Sequence, residues 1–221
     1  MEPSLSPIEI RVLACLVEKS LSTPEYYPLT LNALVAACNQ KSNRDPVLQV
    51  SDQDVVRTLD ALRDRGLASS VVLAGSRVPK YRHRMTDVYP LMPAQLAVLC
   101  ELMLRGPQTT GELRTHASRL CSLVDTAEVQ TILQQLAVWP GAPLAALAAR
   151  RSGQREERYA QLLGGPLPAE AESSVPATEP ARLSLMAENE RIAALEAKVK
   201  SLEDEVAGLK AQLADLVRQL Q

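Results

Sequence analysis

The chain has 221 residues, 46% of them hydrophobic and only 3% aromatic, with no Phe, so one or two domains can be built on a core of Leu, Val, Ala, Ile and Met. The formal net charge of −2 excludes a bulk electrostatic attraction to nucleic acid and leaves any such footprint local. No apolar run approaches the roughly 18 residues of a membrane span, and the opening MEPSLSPIEI has neither a basic nor an apolar leader region, which predicts a cytoplasmic location.

In chain order, Ser6 caps a first helix, Pro7 takes its first position, Glu9 completes a capping box, and Leu5 with Ile10 forms a hydrophobic staple. Thr30 caps a short second helix reaching about Asn39. A polar loop, Asn39 to Asp45, precedes Pro46. A third helix starts at Ser51, with Asp54 as a shorter-reaching, imperfect box partner and Val50 and Val55 as staple. Val55, Leu59 and Leu62 face inward, and Gly66 ends the helix. Leu67 to Ala74 reads as a strand, Gly75-Ser76-Arg77 as a turn, and Val78 to Arg84 as a returning strand. Helix, helix, helix, hairpin is the layout of a winged helix-turn-helix.

The second segment repeats the order. Pro93 to Arg105 is helical and Gly106-Pro107 breaks it. Thr109 with Glu112 opens a helix to about Leu120. Asp125 and Glu128 cap another, with Val124 and Val129 as staple and Pro140-Gly141 as its end. Leu144 to Ala149 and Glu156 to Leu162 read as a hairpin around Arg150 to Gln154. Val129, Leu133 and Leu136 repeat the spacing of Val55, Leu59 and Leu62, and Arg158-Tyr159 sits where Lys80-Tyr81 sits in the first unit. The predicted fold is therefore mainly α with small β-hairpins: two tandem winged helix-turn-helix domains (1–90 and 91–163), a Pro- and Glu-rich flexible linker (164–181) and a C-terminal coiled-coil helix (182–221). One continuous helical domain is the alternative.

The last segment carries a strict heptad. Ile192, Leu195, Val199, Leu202, Val206, Leu209, Leu213, Leu216 and Leu220 alternate spacings of three and four. Ile and Val at the first a positions with Leu at every d favour two parallel strands. Arg191 with Glu196, Lys198 with Glu203, and Glu205 with Lys210 match across the pair. A single amphipathic helix on the chain's own body is the other reading, and it usually needs a wider stripe.

The run Leu29-Thr-Leu-Asn-Ala-Leu-Val-Ala-Ala-Cys-Asn-Gln-Lys-Ser-Asn-Arg-Asp-Pro46, together with Gly75-Ser-Arg77, Lys80-Tyr81 and the opening Leu5 to Glu18, resembles the YceH family of uncharacterised bacterial proteins. The resemblance covers roughly residues 5–165 and implies a pair of winged helices. It brings no catalytic residue and no cofactor.

Chemistry-bearing residues are few. The four cysteines (15, 38, 100 and 121) form no CxxC pair, and only two His are present, so buried small side chains explain the cysteines better than zinc or disulfides do. Phosphate loops, GxSxG and HExxH are all missing from the sequence, so no enzyme, cofactor or metal is expected. The polar loop, with Asn39, Gln40, Lys41, Ser42, Asn43 and Arg44, can donate to phosphates or a partner, or satisfy its own backbone. The first hairpin holds Arg77, Lys80, Arg82, His83 and Arg84, which reads as a basic wing or as a solvated strand face. Gln53, Arg57 and Thr58 of the third helix are possible base contacts, but Asp52 and Asp54 there oppose phosphates.

The expectation is a non-enzymatic, homodimeric DNA-binding protein, possibly a transcriptional regulator. Its candidate contacts are Lys41, Asn43, Arg44, Gln53, Arg57, Arg77, Lys80, Arg82 and Arg84. A protein–protein adaptor is the alternative, and neither reading involves a membrane.

Overall fold

The computed structural model describes residues 4–72, 78–149 and 156–167. All belong to the first of the two units into which the chain divides, Met1–Ala169 and Glu170–Gln221. The heptad residues Ile192 to Leu220, most of the linker, and the predicted turns at Gly75–Arg77 and Arg150–Gln154 lie outside the described residues.

The first unit is mainly helical, with two small antiparallel sheets. α1 (Pro7–Ser22) starts as its sequence demands. The Ser6 hydroxyl accepts the Glu9 N–H at 3.3 Å, and the Glu9 carboxylate accepts the Ser6 N–H at 2.7 Å. Every residue from Glu9 to Glu18 is buried, so α1 is surrounded on all sides and carries polar groups into the interior. α2 (Leu31–Cys38) is capped by Thr30, and α3 (Asp52–Asp64) by Ser51. Asp54 completes the box after all: its carboxylate reaches the Ser51 N–H at 3.0 Å and the Ser51 hydroxyl at 2.7 Å.

β2 (Ala68–Val71) and β3 (Lys80–His83) form the first hairpin; β2 starts one residue after the expected Leu67, and β3 starts two residues after Val78 and ends one before Arg84. A third strand not expected from the hydrophobic pattern, β1 (Leu29–Thr30), pairs with β3 to give the order β1-β3-β2. Thr30 serves twice, as strand end and as the cap of α2, where its hydroxyl accepts the Ala33 N–H at 3.3 Å. Tyr81 lies opposite both Leu29 and Ser70, and Lys80 opposite both Thr30 and Val71. A single turn, α4 (Met85–Val88), follows and buries Met85.

α5 (Pro93–Arg105) is buried from Leu96 to Leu104 and packs against α1. It ends at Gly106, whose φ of +70° is open to glycine at little cost. α6 (Thr110–Ala117) is capped by Thr109 and stops one turn short of the expected Leu120. α7 (Thr126–Ala137) is capped by Asp125 and ends before Pro140-Gly141. The staple expected of Val124 and Val129 is not made. Val129 is buried but Val124 is 77% exposed, because its N–H is held by the Glu128 carboxylate at 2.7 Å and its side chain turns to solvent. β4 (Ala145–Leu147) and β5 (Tyr159–Gln161) pair as the second hairpin.

Helix, helix, helix, hairpin thus occurs twice along the chain. Val55, Leu59 and Leu62 and their counterparts Val129, Leu133 and Leu136 are all buried. One apolar core runs through both halves, from Leu5 to Ala145, and the Leu5 N–H donates to the Leu163 carbonyl at 2.8 Å, tying the start of the chain to the end of the second hairpin.

Candidate nucleic-acid interface

The candidate residues fall into three environments. The polar loop between α2 and α3 is mostly consumed by the fold. Asn39 brackets Val50, donating to its carbonyl at 2.9 Å and accepting its N–H at 2.8 Å. Gln40 accepts from Arg44 at 2.9 Å. Asn43 takes a φ of +58°, a left-handed conformation that Asn tolerates better than most residues, and its side chain accepts from Arg105. Lys41 and Ser42 are exposed.

Arg44 departs from the expectation of a DNA contact. It is buried, and its guanidinium lies on Glu18, Nη2 to Oε2 at 2.6 Å and Nη1 to Oε1 at 3.3 Å, while Nε and Nη2 also donate to the Ala37 carbonyl. The reason is a buried polar network assembled from residues far apart in the chain. Arg119 bridges Glu18 and Glu101 at 2.8 Å each, and Arg105 meets Glu101 at 3.1 Å. Gln108 donates to the Glu101 carbonyl at 2.9 Å. Burial alone would raise the Glu18 carboxyl. The Arg44 hydrogen bond and the charges of Arg44, Arg119 and Lys19 outweigh it and hold Glu18 below the usual carboxylate range. Arg11, also buried, donates to the Pro46 carbonyl at 2.7 Å and the Cys38 carbonyl at 3.4 Å, fastening the other end of the loop. The signal was present in the sequence: Glu18 and Glu101 interrupt otherwise apolar helical stretches, where an unpaired carboxylate is costly.

The second environment is the sheet. Successive residues of β3 point to opposite faces, so Lys80 and Arg82 share one face and Tyr81 and His83 the other. Tyr81 packs on the core and, with Leu59, Arg63 and Ala68–Ser70, lines a shallow crevice between α3 and β2. His83 does not belong to a basic patch. The Met85 N–H donates to Nδ1 at 3.3 Å, which places the ring proton on Nε2, 3.0 Å from the Ser20 hydroxyl; that hydroxyl in turn donates to the Val17 carbonyl at 2.7 Å. Burial pushes the His83 pKa down, with Asp87 opposing and Arg82 reinforcing, so the ring is neutral near pH 7. The phenol of Tyr27 accepts the His83 backbone N–H at 2.6 Å, and burial pushes its own pKa up to about 12. On the outer face Arg82 is exposed, with Nε on the Ser69 hydroxyl at 3.0 Å, and Lys80 is half-buried. Arg84 is exposed and ion-paired with Asp87 at 2.8 Å. Arg77 lies outside the described residues.

The third environment is α3, where Gln53 and Arg57 are exposed and Thr58 is buried, its hydroxyl returning to the Asp54 carbonyl at 2.7 Å. The structure therefore leaves Lys41, Gln53, Arg57, Lys80, Arg82 and Arg84 at the surface in whole or part, and withdraws Arg44 and Thr58 into the fold.

In the second half, Arg158 is engaged by Glu112 at 2.8 and 2.9 Å. Cys15, Cys38 and Cys100 are buried and Cys121 half-buried; burial pushes the Cys100 thiol up, and with it the chance of a reactive thiolate falls. Among the described residues no group of three or more His, Cys, Asp and Glu is placed to hold a metal, and no helix is long and apolar enough to cross a membrane.

A mainly α unit with two small antiparallel sheets, a buried Arg–Glu network and a part-basic strand is the class of protein these observations define. The chain belongs to the family described as "Protein of unknown function, DUF480", whose model matches residues 5–154. It is 54% identical to a UPF0502 protein of Geobacter metallireducens over 90% of each chain. It is 48% identical to a UPF0502 protein of Pelobacter propionicus over 100% of each, and 42% identical to one of Vibrio atlanticus over 98% of this chain and 100% of the relative.

Proposed function

We propose that the protein binds double-stranded DNA through its first half, as a dimer, in the manner of a transcriptional regulator. In this reading α1–α3 with the β1-β3-β2 sheet form one winged helix and α5–α7 with β4-β5 a second. The heptad Ile192, Leu195, Val199, Leu202, Val206, Leu209, Leu213, Leu216 and Leu220 pairs two chains as a parallel coiled coil. The observation that carries the proposal is the outer face of β3. Lys80 and Arg82 occupy adjacent same-face positions on the strand that a winged helix lays beside the DNA backbone, and Arg82 is exposed. The linker of about eighteen residues leaves half-site spacing loose, so two linked units gain by avidity.

The test is full-length binding to mixed-sequence duplex across a salt series, by fluorescence anisotropy. Log affinity should fall steeply with log salt, and Lys80→Glu with Arg82→Glu should abolish binding at moderate salt. Unchanged affinity in that double variant would remove the sheet from the interface.

One observation favours a second reading, a protein-interaction adaptor. The exposed positions of α7 are Thr126, Ala127, Thr131, Gln134 and Gln135, without a cation among them. If wild-type protein binds no duplex even at low salt, the adaptor reading takes its place.

A further inference from the structure

We propose that DNA is held by the outer face of β3 through its sugar–phosphate backbone, with α3 left outside the major groove, so that binding discriminates little between sequences. This rests on the DNA-binding reading and departs from its regulator form in one respect, taking sequence choice away from α3.

The placement of charge carries it. α3 exposes Asp52, Asp60 and Asp64 and half-exposes Asp54, against Arg57 and Arg63. Four carboxylates face two guanidiniums, and Arg63 is already paired with Asp60 at 2.9 Å. A helix in the major groove stands between two rows of phosphates, about one negative charge per 1.7 Å of duplex axis. The residues that would meet base edges are those at the helix start, and here that start is its most acidic part. Asp54 is further occupied in closing the box with Ser51. A carboxylate reads only the cytosine amino group in the groove, a small return against that repulsion.

β3 presents the opposite sign. Its inner positions are taken: Tyr81 by the core, His83 by Ser20 and the Met85 N–H. Its outer positions are Lys80 and Arg82. The Ser69 hydroxyl accepts from Arg82 Nε, which steadies the side chain at an exposed site and spends one of its five donors. Asp87, whose carboxylate feels the Arg82 charge, is itself ion-paired with Arg84 at 2.8 Å. A guanidinium and an ammonium on one strand face suit phosphate oxygens, and phosphate contacts position a protein without reading sequence.

The experiment uses the full chain and three unrelated 25-base-pair duplexes, by anisotropy and mutual competition, with circular dichroism to confirm that each variant folds. The expected result is affinities within about three-fold of one another. Lys80→Gln with Arg82→Gln should lower the salt slope by about two per engaged chain. Gln53→Ala with Arg57→Ala should change affinity by less than about three-fold on every duplex. Preference for one duplex by more than about 100-fold, lost in the Gln53 and Arg57 variant, would show α3 reading the groove. That outcome overturns this mode and leaves DNA binding standing. No binding to any duplex at low salt overturns both.

Discussion

At the scale of single residues, the same side-chain type has opposite fates. Arg82 stands at the surface, whereas Arg44 has 0% of its side chain exposed and answers Glu18, at 1%. A buried ion pair is weak evidence of net stabilisation, but breaking one strands a charge. Arg44→Met should therefore destabilise the unit by about 3 kcal/mol in urea unfolding, since Glu18 keeps only Arg119. Arg44→Lys should restore only part of this, because an ammonium cannot reproduce the bidentate contact. A loss below about 1 kcal/mol for Arg44→Met would mean the network relaxes and rehydrates. Arg63→Ala, by contrast, removes an ion pair exposed on both sides and should move the unfolding midpoint little.

His83 supplies a pH dependence. Its pKa in the folded protein is held below the ordinary 6.5 by burial first, and His116 is shifted the same way. Below about pH 6.5 the unfolded chain takes up protons that the folded one resists, so stability is full above that pH and falls as the pH drops toward 5. Urea midpoints measured from pH 8 to 5 should show the decline, and His83→Gln should reduce it without removing it, because His116 remains. An unaltered decline in the variant would assign the effect elsewhere.

At the scale of elements, what could be read from the sequence was local. Ser6, Thr30, Ser51, Thr109 and Asp125 all cap helices as their positions announce, because capping depends on a side chain and a backbone N–H two or three residues away. Thr109→Ala should accordingly cost about 1 kcal/mol of stability in thermal or urea unfolding, with Thr109→Asn near neutral. Equal losses in both would implicate the buried methyl of Thr109 in place of its hydroxyl. What the sequence hid was non-local. β1 is two residues long and exists because β3, some fifty residues later, offers an edge. The loop that looked free to meet phosphates is fastened by Arg11, Arg44 and Arg105, whose contacts there span from one to 62 residues. Val124 misled because its neighbour Glu128 competed for its backbone and left the side chain in water. The basic strand was legible as composition, but its division into an inner His83 and an outer Arg82 needed the pairing of the sheet.

At the scale of the whole molecule, a helical unit is followed in sequence by a Pro- and Glu-rich stretch and a heptad segment, residues 166–221 carrying 6 Lys and Arg against 10 Asp and Glu. In the proposed DNA-binding reading a net acidic segment is repelled by phosphates, so the heptad would act through association. Leu202→Pro, which breaks the helix in mid-seam, should convert dimers to monomers by light scattering and weaken DNA binding through lost avidity. A dimer that survives the change would place the interface within residues 1–169.

The central claim is that the first half of the chain, through its sheet, meets DNA. Hydrogen–deuterium exchange of the full-length protein with and without duplex at low salt tests it most directly. Binding through the sheet should add protection over Ala68–Val71 and Lys80–His83, with little change over Thr110–Ala117 or Thr126–Ala137. Protection confined to the second half, or no change anywhere at saturating duplex, would contradict it.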